Sequence, residues 1–252
     1  MFKNILITII FFIFPFISFA KETVFITGAN RGIGYELTKQ YLNDGWNVIA
    51  TSRTPHNDNE LLALSQEYGS LRIEQLDVTI PDHMATLAKL LKGVPIDILI
   101  NNAGILGNPN NQRFGNLNFT SGRNIFDTNT FGPLMVAETF LDNIKLGQIK
   151  KIINITSIVG SIDLTRGNLY FYRASKAALN MLMHNLSHNL MEEGIVVGLI
   201  HPGVVDTDMS SSFNIKKVSV FDSAQGIRKT ISKYSLKNSG SFFNYKGEFL
   251  PW

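Results

Sequence analysis

The stretch Thr27-Gly-Ala-Asn-Arg-Gly-Ile-Gly34 decides the fold. It follows a short β-rich run, Glu22–Thr27 (ETVFIT), and opens a helical pattern from Ile33 to Asn43. Gly28, Gly32 and Gly34 are spaced G-x-x-x-G-x-G. Missing side chains let the chain turn tightly and let a pyrophosphate approach the backbone. The helix N-terminus adds free N–H groups and the positive end of its dipole. Such a glycine set is weak alone, but between a strand and a helix it points to a dinucleotide-binding turn.

Outward from this turn the chain alternates strand and helix. Gly45 stops the first helix, and Trp46–Thr51 (WNVIAT) reads as a strand. A helix through Leu61, Leu64 and Tyr68 leads to a strand at Leu71–Leu76, then a helix over Pro81–Leu91 with Pro at its start. Ile96–Ile100 (IDILI) is an apolar run suited to a strand buried on both faces. One long helix is expected over Arg123–Lys145, a strand at Lys151–Thr156, and a helix over Tyr170–Glu193 capped by Gly194. Ile195–Ile200 and a weaker Ser241–Asn244 complete seven strands. This pattern predicts an α/β fold of three layers, a doubly wound and mostly parallel Rossmann sheet with helices on both faces. Residues 21–252 read as one domain, with the polar stretch Thr207–Val220 as a candidate lid.

The second strand ends Thr51-Ser52-Arg53, with no acid to hold a free adenosine ribose. Arg53 can pair with a 2′-phosphate, and Arg31 in the glycine turn can add a second cation. NADP(H) is therefore expected over NAD(H). Tyr172-Arg-Ala-Ser-Lys176 sets a phenol and an ammonium four residues apart on one helix face. A cation beside a phenol lowers its pKa and suits it to exchange a proton with a carbonyl oxygen.

Further segments fall in order: LDV at 76–78, NNAG at 101–104, NITS at 154–157 and HPG at 201–203. With the glycine turn and YRASK, they resemble the short-chain dehydrogenase/reductase family from about Thr23 to the end of the sequence. ANRGIG, the NTFGP stretch from Asn129 to Pro133, ASKAALN from Ala174 and the ending Phe249-Leu-Pro-Trp252 resemble its C-factor-like branch and the sniffer-type carbonyl reductases. The resemblance implies Tyr172 as general acid/base, Lys176 as its partner and a ligand of the nicotinamide ribose, and Ser157 as the group that holds the substrate oxygen. Asn129 would keep a helix kink and a water linking Lys176 to solvent. Gly28, Asn30, Arg31, Gly32, Ile33, Gly34 and Arg53 would hold the cofactor. Asp77 and Val78 would contact adenine; Asn101, Ala103 and Gly104 would brace the sheet top and line the cofactor site. Pro202, Gly203, Val205 and Thr207 would meet the nicotinamide end. The activity implied is NAD(P)-dependent reduction of a ketone or aldehyde, in a homodimer or homotetramer. The branch also carries the alternative of a cofactor-binding signalling protein with little turnover. The 15-residue gap from Ser157 to Tyr172 exceeds the family's commonest spacing, and Asp163–Asn168 reads as a longer substrate-side loop.

Composition narrows the rest. The absence of cysteine excludes disulfides, cysteine-ligated zinc and cysteine nucleophiles. A net charge of +3, with scattered Lys and Arg, argues against nucleic acid as partner. His184, His188 and Glu192 lie four apart, but the resemblance makes this a packing helix; no metal is expected. Asn118 and Asn185 begin glycosylation-like triplets that occur readily by chance. Residues 1–20 (MFKNILITIIFFIFPFISFA) carry Lys3, an apolar run and a small-x-small ending before Lys21. They read as a signal peptide, giving an exported or periplasmic protein. An uncleaved anchor with membrane contact, or a misassigned start and a cytoplasmic protein, are the alternatives.

Overall fold

Seven parallel strands form the central sheet. They are β1 (Thr23–Ile26), β2 (Asn47–Ser52), β3 (Leu71–Gln75), β4 (Ile98–Asn101), β5 (Lys151–Ile155), β6 (Val196–His201) and β7 (Phe242–Asn244). The computed structural model describes residues 21–252, so the leader reading for residues 1–20 lies outside the described residues. The sheet order is β3-β2-β1-β4-β5-β6-β7. All of its pairings are parallel, with Val24 opposite both Val48 and Ile98.

Side chains alternate across each strand and build two cores. Val24, Ile26, Val48, Ala50, Ile100 and Ile153 pack against one layer. That layer holds α1 (Gly32–Asn43), α2 (Asn59–Glu67) and α8 (Val220–Lys233). Phe25, Ile49, Leu99, Ile152 and Val197 face the other layer. It comprises α3 (Pro81–Leu90), α4 (Phe119–Phe126), α5 (Gly132–Thr139), α6 (Leu141–Leu146) and α7 (Tyr170–Asn189). Burial on both faces explains why these strands read as nearly continuous apolar runs. Among the described residues no helix is long and apolar enough to cross a membrane.

The single helix expected over Arg123–Lys145 is broken. A π turn over Asp127–Phe131 separates α4 from α5, and Gly132 N–H bonds the Asp127 carbonyl. Pro133 has no N–H for the carbonyl four residues back, so the α ladder cannot continue. The helix expected to reach Glu193 ends at Asn189.

Strand order reverses between β1 and β4. The loops after these strands diverge there and leave a crevice at the carboxyl edge of the sheet.

Candidate active site

The glycine turn is bound to the loop after β4. The Thr27 hydroxyl accepts from the N–H groups of Asn102 and Ala103, each at 3.0 Å. The Asn102 amide donates to the carbonyls of Thr27 (3.0 Å) and Gly28 (2.9 Å). Gly28 has φ +62°, and a Cβ there would lie 3.0 Å from the Ala103 Cα. A Cβ at Gly34 would fall 2.3 Å from the Gly28 carbonyl oxygen. Only glycines fit, and they leave backbone N–H groups at the start of α1 open to an anion. The cradle therefore fits a dinucleotide pyrophosphate. Ile33 is half-buried in the first turn of α1.

At the adenosine end, Arg53 is exposed beyond β2. The Arg31 guanidinium, in the glycine turn, pairs at 3.3 Å with Asp208, both groups largely exposed. An acid is present after all. Asp58 accepts from the Asn30 amide at 3.0 Å and from the Ser52 hydroxyl. Asp77 Oδ1 accepts from the backbone and hydroxyl of Thr79, holding the turn after β3. Val78 is buried, and a Cβ on Gly132 would press against it.

At the end of β4, Asn101 is buried. Its amide donates to the Pro133 carbonyl (3.1 Å) and Asn154 Oδ1 (2.9 Å), bracing the sheet top. Ala103 and Gly104 line the crevice side; a Cβ at Gly104 would sit 3.3 Å from Asn129 Oδ1 and 3.7 Å from Lys176 Nζ.

Ser157, Tyr172, Lys176 and Asn129 come together where β5 meets α7. Ser157 starts a short 3-10 turn over Ile158–Gly160. A Cβ on Gly160 would lie 2.9 Å from the Lys176 backbone, so this glycine lets the turn rest on α7. Lys176 is buried, and its ammonium donates to the Ile155 carbonyl at 3.0 Å. Burial lowers its pKa to about 8. Dehydration pushes the half-buried Tyr172 phenol up to about 12, with the Ser157 hydroxyl acting the other way as a hydrogen-bond partner. The expected lowering of the phenol by Lys176 is therefore not what dominates: loss of water does. A neutral phenol is a proton donor, which is the form carbonyl reduction requires.

Two supports were not foreseen from the sequence. Gln112 Oε1 accepts the Tyr172 N–H at 2.8 Å and caps α7, whose preceding residue, Leu169, is left-handed and offers no side-chain cap. Gln112 lies in a two-residue ladder without a sequence signal. Ser175 donates to the Tyr172 carbonyl (2.8 Å) and accepts from Asn129 (3.2 Å).

The loop after β6 closes the other end. Pro202 accepts from Ser223 at 2.7 Å, Gly203 has φ +87°, and buried Val205 bridges to Val218. A Cβ on Gly32 would lie 3.2 Å from Thr207 Cγ2, so this loop touches the glycine turn. His184 and His188 approach to 3.3 Å, but no group of three or more possible metal ligands exists among the described residues.

The short chain dehydrogenase family model matches residues 22–218. The chain belongs to the short-chain dehydrogenase family. This dehydrogenase is 33% identical over 236 residues to the 1-hydroxy-2-glutathionyl-2-methyl-3-butene dehydrogenase of Rhodococcus sp. strain AD45, covering 92% of this chain and all of that one. It is 37% identical over 159 residues to the C-signal of Myxococcus xanthus, covering 63% of this chain and 93% of that one. The NADPH-bound carbonyl reductase from chicken fatty liver superposes with a TM-score of 0.85 at 35% identity, over 93% of this chain and all of that one. The carbonyl reductase Sniffer of D. melanogaster gives 0.85 at 32%, over 92% and 100%. The dehydrogenase is an NAD(P)-dependent oxidoreductase of the sniffer and C-factor-like branch.

Proposed function

We propose that this dehydrogenase reduces a small ketone or aldehyde to its alcohol, with NADPH preferred over NADH. The reading rests on one observation: the half-buried Tyr172 phenol lies beside the Ser157 hydroxyl, one helical turn from the buried Lys176. A nicotinamide held there would supply the hydride for the carbonyl carbon. Tyr172 gives its proton to the carbonyl oxygen, and Ser157 holds that oxygen by a hydrogen bond. Lys176 then stabilises the phenolate. One of its three N–H donors is used on Ile155, which leaves two for the cofactor ribose and the phenolate side. The phenol regains a proton from solvent, so the reaction balances as one hydride and one proton per carbonyl.

The glycine turn, Ala103, Gly104 and the loop Pro202–Thr207 hold the cofactor. Arg53 favours the 2′-phosphate, in keeping with the NADPH in the chicken carbonyl reductase. Residues 21–252 act as one catalytic domain, working as a homodimer or homotetramer. Residues 1–20 serve as an export signal; a mature chain beginning at Lys21 by mass analysis supports this, and retention of Met1 contradicts it.

The test is loss of reduced-nicotinamide absorbance across a panel of ketones and aldehydes, with each cofactor. NADPH-dependent loss supports the proposal. Tight NADPH binding without turnover on any carbonyl contradicts it and favours the second reading, a C-factor-like signalling protein, which the similarity to C-signal supports.

A further inference from the structure

Asp58 immediately precedes α2 and occupies its N-cap. An aspartate there ordinarily accepts an N–H from the first turn of the helix. Asp58 makes no such bond. Its carboxylate turns back across the carboxyl edge of the sheet. Oδ1 accepts from the Asn30 amide at 3.0 Å, and Oδ2 accepts from the Ser52 hydroxyl. Asn30 belongs to the glycine turn, and Ser52 is the last residue of β2, directly before Arg53. The helix forgoes its cap to hold an anion beside the strand end where an adenosine ribose is recognised.

From this geometry we propose that Asp58 is a specificity-determining residue of the adenosine 2′ subsite. The proposal rests on the dinucleotide reading given above. A carboxylate bonded to Ser52, the residue before Arg53, opposes a 2′-phosphate brought to that strand end, because like charges repel at short range. It also occupies the Ser52 hydroxyl, which would otherwise donate to that phosphate. For a cofactor with a free 2′-hydroxyl the same carboxylate is an acceptor. Asp58 therefore narrows the preference that Arg53 creates and keeps NADH usable.

The experiment titrates the full chain with NADPH and with NADH, following cofactor fluorescence, for the wild type and for Asp58→Asn. Asparagine keeps the size and removes the charge. The expected result is a shift of about tenfold in the NADPH-to-NADH affinity ratio toward NADPH. A ratio unchanged within about twofold, with both cofactors still bound, overturns the proposal and leaves the dinucleotide reading standing. No binding of either cofactor to the wild type overturns that reading, and the proposal with it. The wild type gives a second readout that does not depend on the variant folding. Its two affinities should differ by less than about tenfold, and a larger NADPH preference contradicts the role of Asp58.

Discussion

The carboxamide of Asn129 is bonded twice to the backbone of Ile105: Oδ1 accepts the Ile105 N–H and Nδ2 donates to the Ile105 carbonyl, each at 2.8 Å. Nδ2 also reaches the Ser175 hydroxyl at 3.2 Å. One fully buried side chain therefore ties the loop after β4, the π turn and α7 together beside Lys176. The pairing imitates a backbone ladder and holds the kink in place.

Asn129→Leu should leave the N–H and carbonyl of Ile105 without these partners. Unpaired buried groups cost about 1–3 kcal/mol each, so unfolding in urea should show a loss of about 2–4 kcal/mol. Asn129→Asp keeps the acceptor but sets a carboxylate against the Ile105 carbonyl, and it should also destabilise. Stability within about 0.5 kcal/mol of wild type for both variants would contradict the double bond as a structural tie.

Gly34→Ala should abolish cofactor binding. The added methyl meets the Gly28 carbonyl oxygen at 2.3 Å and the Asn102 amide at 2.5 Å, so the turn must open. Calorimetric titration with NADPH should weaken by at least about a hundredfold. A Gly45→Ala control meets no atom within 4 Å, so its cost is confined to a φ of +83° remote from the cradle. Unchanged affinity in Gly34→Ala would remove the glycine turn from the binding site.

The pH dependence follows from two opposite shifts. The Tyr172 phenol, at about 12, stays protonated through the neutral range. Lys176, at about 8, loses its charge above that pH. For carbonyl reduction, kcat/KM should be flat below about 8 and fall above it. Lys176→Arg, whose guanidinium stays charged, should remove the alkaline fall even if its rate is lower. A profile flat to about pH 10 in the wild type would rule out a need for charged Lys176.

Most of the strand framework was legible because glycine or polar turns bracket each apolar run. The break within Arg123–Lys145 was harder to see, since a π turn keeps the apolar stripe of the helix; Pro133 was the available signal. The pairing of Tyr172 with Lys176 on one helix was legible from its spacing, and its shared face follows from helix geometry alone. The direction of the phenol's pKa was not, because it depends on water excluded by the fold and not on which residue stands four positions away. Arg31 pairs with Asp208 from a loop 177 residues on, and Asp58 reaches back past a 3-10 turn. Contacts between loops set both, and no local pattern encodes them.

His201, buried at the end of β6, has its pKa lowered by burial from 6.5 to about 4. The unfolded chain therefore binds a proton before the folded one does. Its contribution to stability is complete above 6.5 and is lost as pH falls toward about 4. The loss is about 3 kcal/mol in all. Urea midpoints of wild type and His201→Gln should converge between neutral pH and about 4.5. Parallel curves over that window would show that His201 is not held neutral.

In the proposed reduction Tyr172 supplies the proton. The most direct test is single-turnover reduction of a carbonyl substrate by the NADPH complex of Tyr172→Phe, with NADPH affinity measured on the same protein. The rate should fall at least about a hundredfold below wild type, with affinity within about threefold, since a positioned general acid contributes about 10²–10⁴-fold. Turnover at the wild-type rate, with affinity intact, would contradict it.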